Sequence, residues 1–304
     1  MEALDNLLAQ YEGRLARGIS HDELVQFTNH LPALPHAAAK LIRLADDPNS
    51  DLNEISDTIA SDTAIASLML KQANSTTFAQ QRKVTSILHA LELVGMLGLK
   101  SVVLAQVLTR LNRQPTAADK LVRDHAVATA LLVRGLAQRL GRRDAEDLFL
   151  YGVLHRLGQF VLLADARTRP MYAAVLRRVR DHHADYVNAE LEEIGFSHPL
   201  IGALVANRWN FPPELAQVIL RQHEPIEGVQ EEVDFKIALV KFASAATHLA
   251  WLGNPEGYPD QTPLLRQLGP QLGLLSEKPE AELVLLIEDL QAMFAREAKI
   301  WPPQ

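Results

Sequence analysis

The histidines are the side chains of this sequence with the clearest capacity for chemistry. The chain has 11 of them and no cysteine, so thiol catalysis, disulfides and zinc-finger sites are excluded. His125 and His155 each lie in a mostly apolar segment with helical periodicity. A histidine in such a segment is usually a hydrogen-bonded core residue, but it can also contact an anion or a nucleotide, or bind a soft metal. All three interpretations stay open at this point.

Other catalytic patterns are missing from the sequence. It contains no Gly-x-Gly-x-x-Gly, P-loop, Gly-x-Ser-x-Gly or His-Glu-x-x-His pattern, and so lacks the usual signatures of dinucleotide enzymes, P-loop NTPases, serine hydrolases and zinc proteases.

Length, charge and hydropathy narrow the classes of partner. The 304 residues carry a net charge of -7 and are 48% hydrophobic, which predicts a folded chain with a sizeable core. Acidity, and the scattering of Arg and Lys along the chain, disfavour binding to nucleic acid. The residues after Met1 lack a basic region followed by an apolar run, and no apolar stretch approaches the roughly 20 residues of a membrane span. We therefore expect a cytoplasmic protein without membrane contact.

Helical periodicity runs through nearly the whole chain, and alternating strand-like patterns are missing, so the predicted fold class is all-α. A helix over 3–17 is followed by one that begins at Pro35, and then by two short helices with Asp62 as the N-cap of the second. The short helices cover 52–60 and 62–73; the next runs from Thr85 or Ser86 to Leu97, and Gly98 separates it from one that ends near Leu111. Later helices are predicted over 119–140, 144–165, 169–183, 187–194, 198–208, 212–222, 231–251 and 278–299.

The two short helices invite comparison with a helix-turn-helix. The second begins with Asp62-Thr-Ala-Ile, and the carboxylate of Asp62 would repel DNA phosphate where a recognition helix usually presents polar or basic residues. DNA binding by this pair is therefore disfavoured.

An ordered series of short motifs over residues 31–111 resembles the HDOD family. The matching segments are Leu31-Pro-Ala-Leu-Pro35, Asp47-Pro48, Leu52-Asn-Glu-Ile55, Ile59-Ala-Ser-Asp62, Leu70-Lys-Gln-Ala-Asn-Ser75 and Val84-Thr-Ser-Ile87, followed by Gly95. The resemblance implies bacterial signal transduction, with the module acting beside kinases, response regulators or cyclic-di-nucleotide enzymes. Asn74 and Ser75, at a helix end, are either structural turn residues or part of an interaction surface.

Residues 119–250 resemble the scaffold of the HD phosphohydrolases. Those enzymes hold one or two divalent cations with a His, an adjacent His-Asp pair and a final Asp, and a bound water attacks the phosphate ester. By this resemblance Asp124-His125 corresponds to the first His helix, and His198 and His223 follow in the family's order. His155-Arg156 stands at the His-Asp pair, with Arg156 in place of the Asp, and Ser244 stands where the final Asp is expected.

Both anchoring carboxylates of that metal site are therefore missing. Hard cations need anionic oxygen ligands, which imidazoles do not supply. Arg156 also places a permanent cation where the metal would sit, and two such charges 4 Å apart repel by several kcal/mol at moderate effective dielectric. We expect neither a metal nor another cofactor, and no catalytic residues. Tyr258-Pro259 is similar to the Gly-Tyr-Pro motif of HD-GYP phosphodiesterases, but it lies 34 residues after Glu224, so we interpret it as a coincidence.

The predicted function is that of a non-catalytic regulatory module of bacterial signalling that acts through protein contacts. The alternatives are a sensor of a small anionic ligand or nucleotide in a vestigial pocket with His198, His223 and Asp124, or a residual metal-dependent phosphohydrolase. In the sensor hypothesis Arg156 pairs with a phosphate, or with an internal acid such as Asp124 or Asp181. Oligomerisation is left open. The expected parts are a helix over 1–20, the N-terminal helical part over 21–115, the degenerate HD-like bundle over 116–252 and C-terminal helices over 253–304.

Overall fold

The protein is described by a computed structural model that covers Phe27, His30 and residues 32–74, 83–111, 115–253, 257–276 and 278–297. These residues contain fourteen helices and no strand, which confirms the all-α prediction. The predicted helix over 3–17 lies outside the described residues. The helices are α1 His36–Asp46, α2 Leu52–Ala60, α3 Thr63–Ala73, α4 Ile87–Leu111, α5 Ala117–Arg139, α6 Ala145–Leu154, α7 Leu157–Ala164, α8 Arg169–His182, α9 Tyr186–Glu193, α10 His198–Arg208, α11 Pro213–Arg221, α12 Glu232–Leu249, α13 Thr262–Gln271 and α14 Glu280–Glu297.

Asp62 fixes the start of α3, as the sequence predicts. Its carboxylate accepts hydrogen bonds from the backbone amides of Ala64 (3.0 Å) and Ile65 (3.2 Å), which have no partner inside the helix. The same carboxylate accepts two hydrogen bonds from Arg110, at 2.7 and 2.9 Å. The cap of α3 is thereby also tied to the end of α4, on which α1 and α3 both pack.

The range of α4 contains the two helices that the sequence predicts, Ile87–Met96 and Gly98–Leu111, which are bent by 99° relative to each other. The residue with a non-helical backbone is Gly95 and not Gly98. Gly95 has φ 73° and ψ 176°, a backbone conformation that residues with a Cβ rarely adopt. Gly98 is buried and helical. A Cβ at this position would come within 2.2 Å of the Val94 side chain, which explains why the residue is a glycine.

The helix predicted over 144–165 is in fact two helices, α6 and α7, which meet at His155 and Arg156. The backbone of Arg156 has φ -99° and ψ 13°, and the residue becomes the N-cap of α7. The side chains of His155 and Arg156 are both buried inside the bundle, where they are 0% and 1% exposed.

Helices α7 and α10 cross in very close contact. A Cβ on Gly158 would lie 1.9 Å from the carbonyl oxygen of His198 and 2.7 Å from the amide nitrogen of Gly202. Only a glycine fits at this position, because the backbone of the facing helix occupies the space of a side chain. The crossing brings the start of α7, with Arg156, against the start of α10, with His198.

The N-terminal helices and the HD-like bundle share one continuous hydrophobic core among the described residues. Helix α5 is buried along most of its length, between α6 and α12. The indole nitrogen of Trp209, after α10, donates a hydrogen bond to the carbonyl of Pro32, before α1 (2.8 Å). The division at residues 115 and 116 stays a prediction, because the core runs through both parts.

Among the described residues, the run Ala145–Ala164, which comprises α6 and α7, is long and apolar enough to meet the length and composition test for a membrane span. The bent pair Ile87–Met96 and Gly98–Leu111 meets the test only if its two helices are taken together. We expected no such run from the sequence. In the structure 78% of the run Ala145–Ala164 is buried inside the protein, as is usual for a core helix.

Substituting Gly158 by Ala should destabilise the protein by about 2–3 kcal/mol, because the new methyl group forces α7 and α10 apart. The free energy of unfolding from urea titrations measures the effect. Gly228→Ala is the matched control, since a Cβ there would meet only the Gln230 side chain, at 4.0 Å. Equal stability of the two variants would contradict the close crossing.

Candidate functional site

The guanidinium of Arg156 lies at the centre of the site, and each of its five N–H groups points to a neutral acceptor. Nε donates to His155 Nε2 (3.1 Å), and Nη1 donates to Gln159 Oε1 and His198 Nε2, both at 3.4 Å. Nη2 lies 3.2 Å from His125 Nε2 and 3.0 Å from His248 Nε2. Four imidazoles on four elements therefore converge on one cation.

The second nitrogens of two imidazoles fix how these rings are protonated. His155 Nδ1 donates to the carbonyl of Gly152 (2.6 Å), and His198 Nδ1 donates to the carboxylate of Glu190 (2.7 Å). The Nε2 atoms of both rings consequently carry lone pairs, which is what an N–H donor or a metal requires. Burial, followed by the charge of Arg156, lowers the pKa of each ring well below its usual value.

His125 and Ser244 meet, as the resemblance to the HD scaffold implies, although they come from α5 and α12. The Oγ atom of Ser244 lies 2.9 Å from His125 Nε2 and 3.4 Å from Arg156 Nη2. Burial and the neighbouring His248 lower the pKa of His125. The positions predicted as a vestigial metal site are thus brought together in one buried cluster.

His248 belongs to this cluster but was missed by the sequence reasoning. Its ring centroid lies 4.2 Å from that of His125 and 3.8 Å from the stacked ring of Tyr258. One signal could have revealed it, since His248 stands four residues after Ser244 and therefore on the same face of α12. The stacking also places Tyr258 at the site, which the interpretation of Tyr258-Pro259 did not anticipate.

Glu190 forms an outer layer on the α9 side and was also missed. It is fully buried, and its carboxylate accepts hydrogen bonds from the His198 ring (2.7 Å), Tyr172 (2.8 Å) and Gln159 (3.2 Å). Burial raises the pKa of this carboxyl to about 7, while its hydrogen bonds and the charge of Arg156 oppose the shift. Glu190 thus contacts Gln159 and His198, and these two side chains in turn accept N–H groups of Arg156.

The suggestion that Arg156 pairs with Asp124 or Asp181 was wrong. Asp124 bonds Lys120 (2.6 Å) and Arg123 (2.8 Å). Asp181 is exposed and bonds its neighbour Arg180 (2.7 Å). Among the described residues, no carboxylate forms an ion pair with Arg156. Asp124 is also absent from the residues that line the cavity next to the cluster.

His223 lies beside the cluster, with Nε2 3.1 Å from His198 Nε2. Since the His198 atom carries the lone pair, His223 Nε2 is the donor. Burial, and then the neighbouring His198, lower the pKa of His223 well below its usual value. His223 is thus a neutral imidazole at the edge of the network.

Asn74 lies in the N-terminal part, away from this cluster in the chain. Its side-chain amide donates to the carbonyls of Leu70 and Val84, and its oxygen accepts from the Val84 amide (2.8 Å). These bonds give it a structural role at the end of α3. Ser75 lies outside the described residues, so the interaction surface at this pair stays a prediction.

A cavity of about 490 Å³ adjoins the cluster. Its wall includes His223, Lys241, Ser244, His248 and Tyr258. This volume is in the usual range for small-molecule sites.

The residues present do not fit the metal that the HD resemblance implies. The Nε2 lone pairs that would bind a cation already accept N–H groups of Arg156. In the described part of the chain, no group of three or more histidine or acidic side chains is arranged to hold a metal ion. The guanidinium of Arg156, with its neutral acceptors, stands where the resemblance would place a metal and its carboxylates.

The comparisons with known proteins agree with this architecture. A family model, the HDOD domain, matches residues 31–225, which is more than half of the chain. An uncharacterized protein of Treponema pallidum (strain Nichols) is 26% identical over 215 residues, which make up 70% of this chain. The chain spans 41% of the length of that curated relative.

Three solved structures share the fold. An HDOD domain protein of unknown function from Geobacter sulfurreducens is 19% identical, with a TM-score of 0.72 over 93% of this chain and 97% of that chain. A protein from Shewanella amazonensis SB2B, provisionally named a phosphohydrolase, is 25% identical, with a TM-score of 0.64 over 92% and 98%. A provisionally named signal transduction protein from Marinobacter aquaeolei VT8 is 19% identical, with a TM-score of 0.66 over 97% of this chain and 65% of that one.

The protein should lose stability as the pH falls from 7.5 to 5. The pKa values of His125, His155, His198 and His223 are lowered in the folded state, so below about pH 6.5 only the unfolded chain takes up these protons. Glu190 acts in the opposite direction, because the stability from its raised pKa is present below its ordinary value and lost as the pH rises through about 7. Four protons outweigh one, and the net loss is up to about 4 kcal/mol per pH unit.

Urea titrations at pH 7.5, 6 and 5 measure this dependence. Glu190→Gln removes the opposing contribution, so its stability should fall more steeply with acid than that of the wild type. A wild-type protein as stable at pH 5 as at pH 7.5 would show that the imidazoles are not held neutral.

Proposed function

The chain belongs to the HDOD domain family, and we propose that it is a regulatory protein of bacterial signal transduction that acts by contact with other proteins and not by catalysis. The partners that the family resemblance implies are kinases, response regulators or cyclic-di-nucleotide enzymes.

One observation carries the proposal: the guanidinium of Arg156 fills the point on which four imidazole Nε2 atoms converge. A divalent cation there would have to displace a buried positive charge and break its hydrogen bonds with His125, His155, His198 and His248. It would also find no carboxylate at positions 156 and 244 to offset its own charge. Metal-activated water, the nucleophile of a phosphohydrolase, has no place in this arrangement.

The Shewanella protein that is provisionally named a phosphohydrolase makes residual hydrolysis the competing hypothesis. At 25% identity its name says little about this chain, because the same fold serves both catalytic and non-catalytic proteins. The Marinobacter relative is provisionally named a signal transduction protein, in line with the role proposed here, although at 19% identity it shares only the fold.

Metal content distinguishes the two hypotheses. Protein made in medium supplemented with manganese and iron, and purified without a histidine tag, should contain far less than one metal ion per chain by elemental analysis. It should not hydrolyse bis(p-nitrophenyl) phosphate. Near-stoichiometric metal in the wild type would overturn the proposal.

The double variant Arg156→Asp, Ser244→Asp tests the same site from the other direction. It restores both carboxylates beside His125 and His155, and we expect it to gain manganese or iron. Arg156→Met is the matched control, because it removes the cation without adding a ligand oxygen.

A groove of about 420 Å³ offers a surface for protein contact. It lies between α1, α4 and α6, and its lining includes Leu104, Leu154 and Phe211. Of the carboxylates on its rim, Asp46, Asp144 and Glu214 pair with Lys100, Arg142 and Lys236. Asp147 also lines the groove, is half-buried, and has no ion-pair partner among the described residues.

Asp147 defines the chemistry of the segment that would bind there. Burial raises the pKa of its carboxyl, and an arginine or lysine supplied by a partner would offset that burial. The apolar floor would take an aliphatic or aromatic side chain next to the basic one. We propose that the partner presents such a basic and apolar pair.

Peptide display against the purified chain tests this surface. Selected peptides should be enriched in Arg or Lys beside an apolar residue, and their affinity should fall at least about tenfold with Asp147→Lys. Asp57→Lys on exposed α2 is the control for a general change of charge. Selected peptides that bind Asp147→Lys as well as the wild type would rule out the groove.

A further inference from the structure

Two cationic side chains lie at or behind the wall of the cavity beside the Arg156 cluster. Arg156 lies behind its wall with no ion pair among the described residues. Lys241 lines the cavity itself, is half-buried, and donates a hydrogen bond to the backbone carbonyl of Glu224. In the described part of the chain, no carboxylate lies within ion-pair distance of Lys241. Burial lowers the pKa of its ammonium group, and only the nearby charge of Glu224 opposes the shift.

Asp185 is the acidic residue in the cavity wall, and its oxygens are already engaged. They accept hydrogen bonds from the backbone amide of Asn188 (2.9 Å) and from its side-chain amide (2.6 Å), which caps the start of α9. Glu190 lies on the far side of Arg156 and bonds Tyr172, Gln159 and His198. Asp185 keeps its negative charge, because its partners are neutral amides, and the charge of Glu224 also acts on Lys241. Neither Asp185 nor Glu190 forms an ion pair with Lys241 in the described part of the chain, so the ammonium group keeps N–H donors for a ligand.

His223 offers a hydrogen-bond acceptor to a ligand in the same cavity. Its Nε2 donates to His198, so in the neutral ring Nδ1 carries a lone pair. The residue lines the cavity and is partly exposed, and Nδ1 is not among the buried polar atoms without a hydrogen-bond partner in the described residues. Nδ1 of His223 can therefore accept a hydrogen bond from a ligand that has an O–H or N–H group.

We infer that this cavity binds a small oxyanion that also carries a hydroxyl donor, with its negative oxygen on Lys241 and its hydroxyl on His223. The apolar part of the wall, with Val187, Pro259 and Leu264, accommodates a carbon skeleton, so the natural ligand is a small organic phosphate or hydroxy acid. Arg156 does not bind this ligand directly, because its N–H groups are used by the imidazoles. Its charge contributes to the electrostatic potential inside the cavity from behind the wall.

The inference rests on the proposed function in one respect, which is that no metal occupies the site. All binding experiments are therefore done in EDTA. A lack of anion binding would then leave the metal analysis untouched, and metal found in the wild type would leave the anion measurement valid for the metal-free protein.

Inorganic phosphate and sulfate are the probes that separate charge from hydroxyl recognition. At neutral pH both are oxyanions, but only phosphate keeps an O–H group. At equal ionic strength, phosphate should raise the melting temperature of the wild type more than sulfate, and titration calorimetry should show one site. Binding of the folded state alone produces this shift.

Two variants assign the contacts. Lys241→Met should weaken phosphate binding at least about tenfold, the loss expected for one charge-assisted contact. His223→Leu should abolish the preference for phosphate over sulfate while Lys241 still attracts both. Lys71→Met, at an exposed position of α3, is the control and should bind as the wild type does.

Equal stabilisation by phosphate and sulfate, unchanged in Lys241→Met, would overturn the inference, as would no binding of phosphate at millimolar concentration. Circular dichroism of each variant checks its fold. If Lys241→Met does not fold, the loss of phosphate preference in His223→Leu still decides the question.

Discussion

A buried guanidinium that is held by neutral acceptors constrains the rest of this structure. Taking a charge out of water costs several kcal/mol even after a protein relaxes around it. Arg156 meets that cost with a hydrogen bond for every N–H group, in which four imidazoles and the Gln159 amide are the acceptors. Each imidazole can accept only when its Nε2 is unprotonated. The charge of Arg156 and the neutrality of the histidines are therefore one property of the site.

The backbone is organised to deliver these groups to one point. The turn between α6 and α7 places His155 and Arg156 side by side in the interior. The contact of Gly158 with α10 brings His198 within reach of the guanidinium. Helices α5 and α12, which pack on each other, contribute His125 from one side and Ser244 and His248 from the other. Glu190 and Tyr172 close the network at α9 and α8, so that an acid lies near the cation without pairing with it.

The fold class, most helix positions and the altered metal site could be predicted from the sequence, because these features depend on local sequence patterns. Helical periodicity gave the all-α fold and most helix positions, and the exchange of Asp for Arg at residue 156 revealed the altered site. The sequence does not distinguish the roles of Gly95 and Gly98, because the unusual backbone of Gly95 and the contact of Gly98 with Val94 both depend on the folded structure. The turn at His155 was equally hidden in a continuous apolar run.

The missed residues are those whose role depends on contacts across long stretches of chain. Glu190 is bonded by His198, eight residues further on, but also by Tyr172 and Gln159 from other helices, and local pattern does not reveal these contacts. Tyr258 follows a proline- and glycine-rich segment, and only the fold stacks it on His248. Asp124 shows the opposite error, since its place next to His125 in sequence suggested a pocket residue, whereas helical geometry turns it toward Lys120 and Arg123.

The network of Arg156 has a consequence for how such a site can change over generations. A route from this site to a metal centre needs carboxylates at both 156 and 244. Aspartate at 244 alone would place a carboxylate beside the guanidinium of Arg156, since Ser244 Oγ lies 3.4 Å from Nη2, and the arginine would become its ion-pair partner. The order of replacements therefore matters, because the arginine must be lost before a new carboxylate is available to a metal.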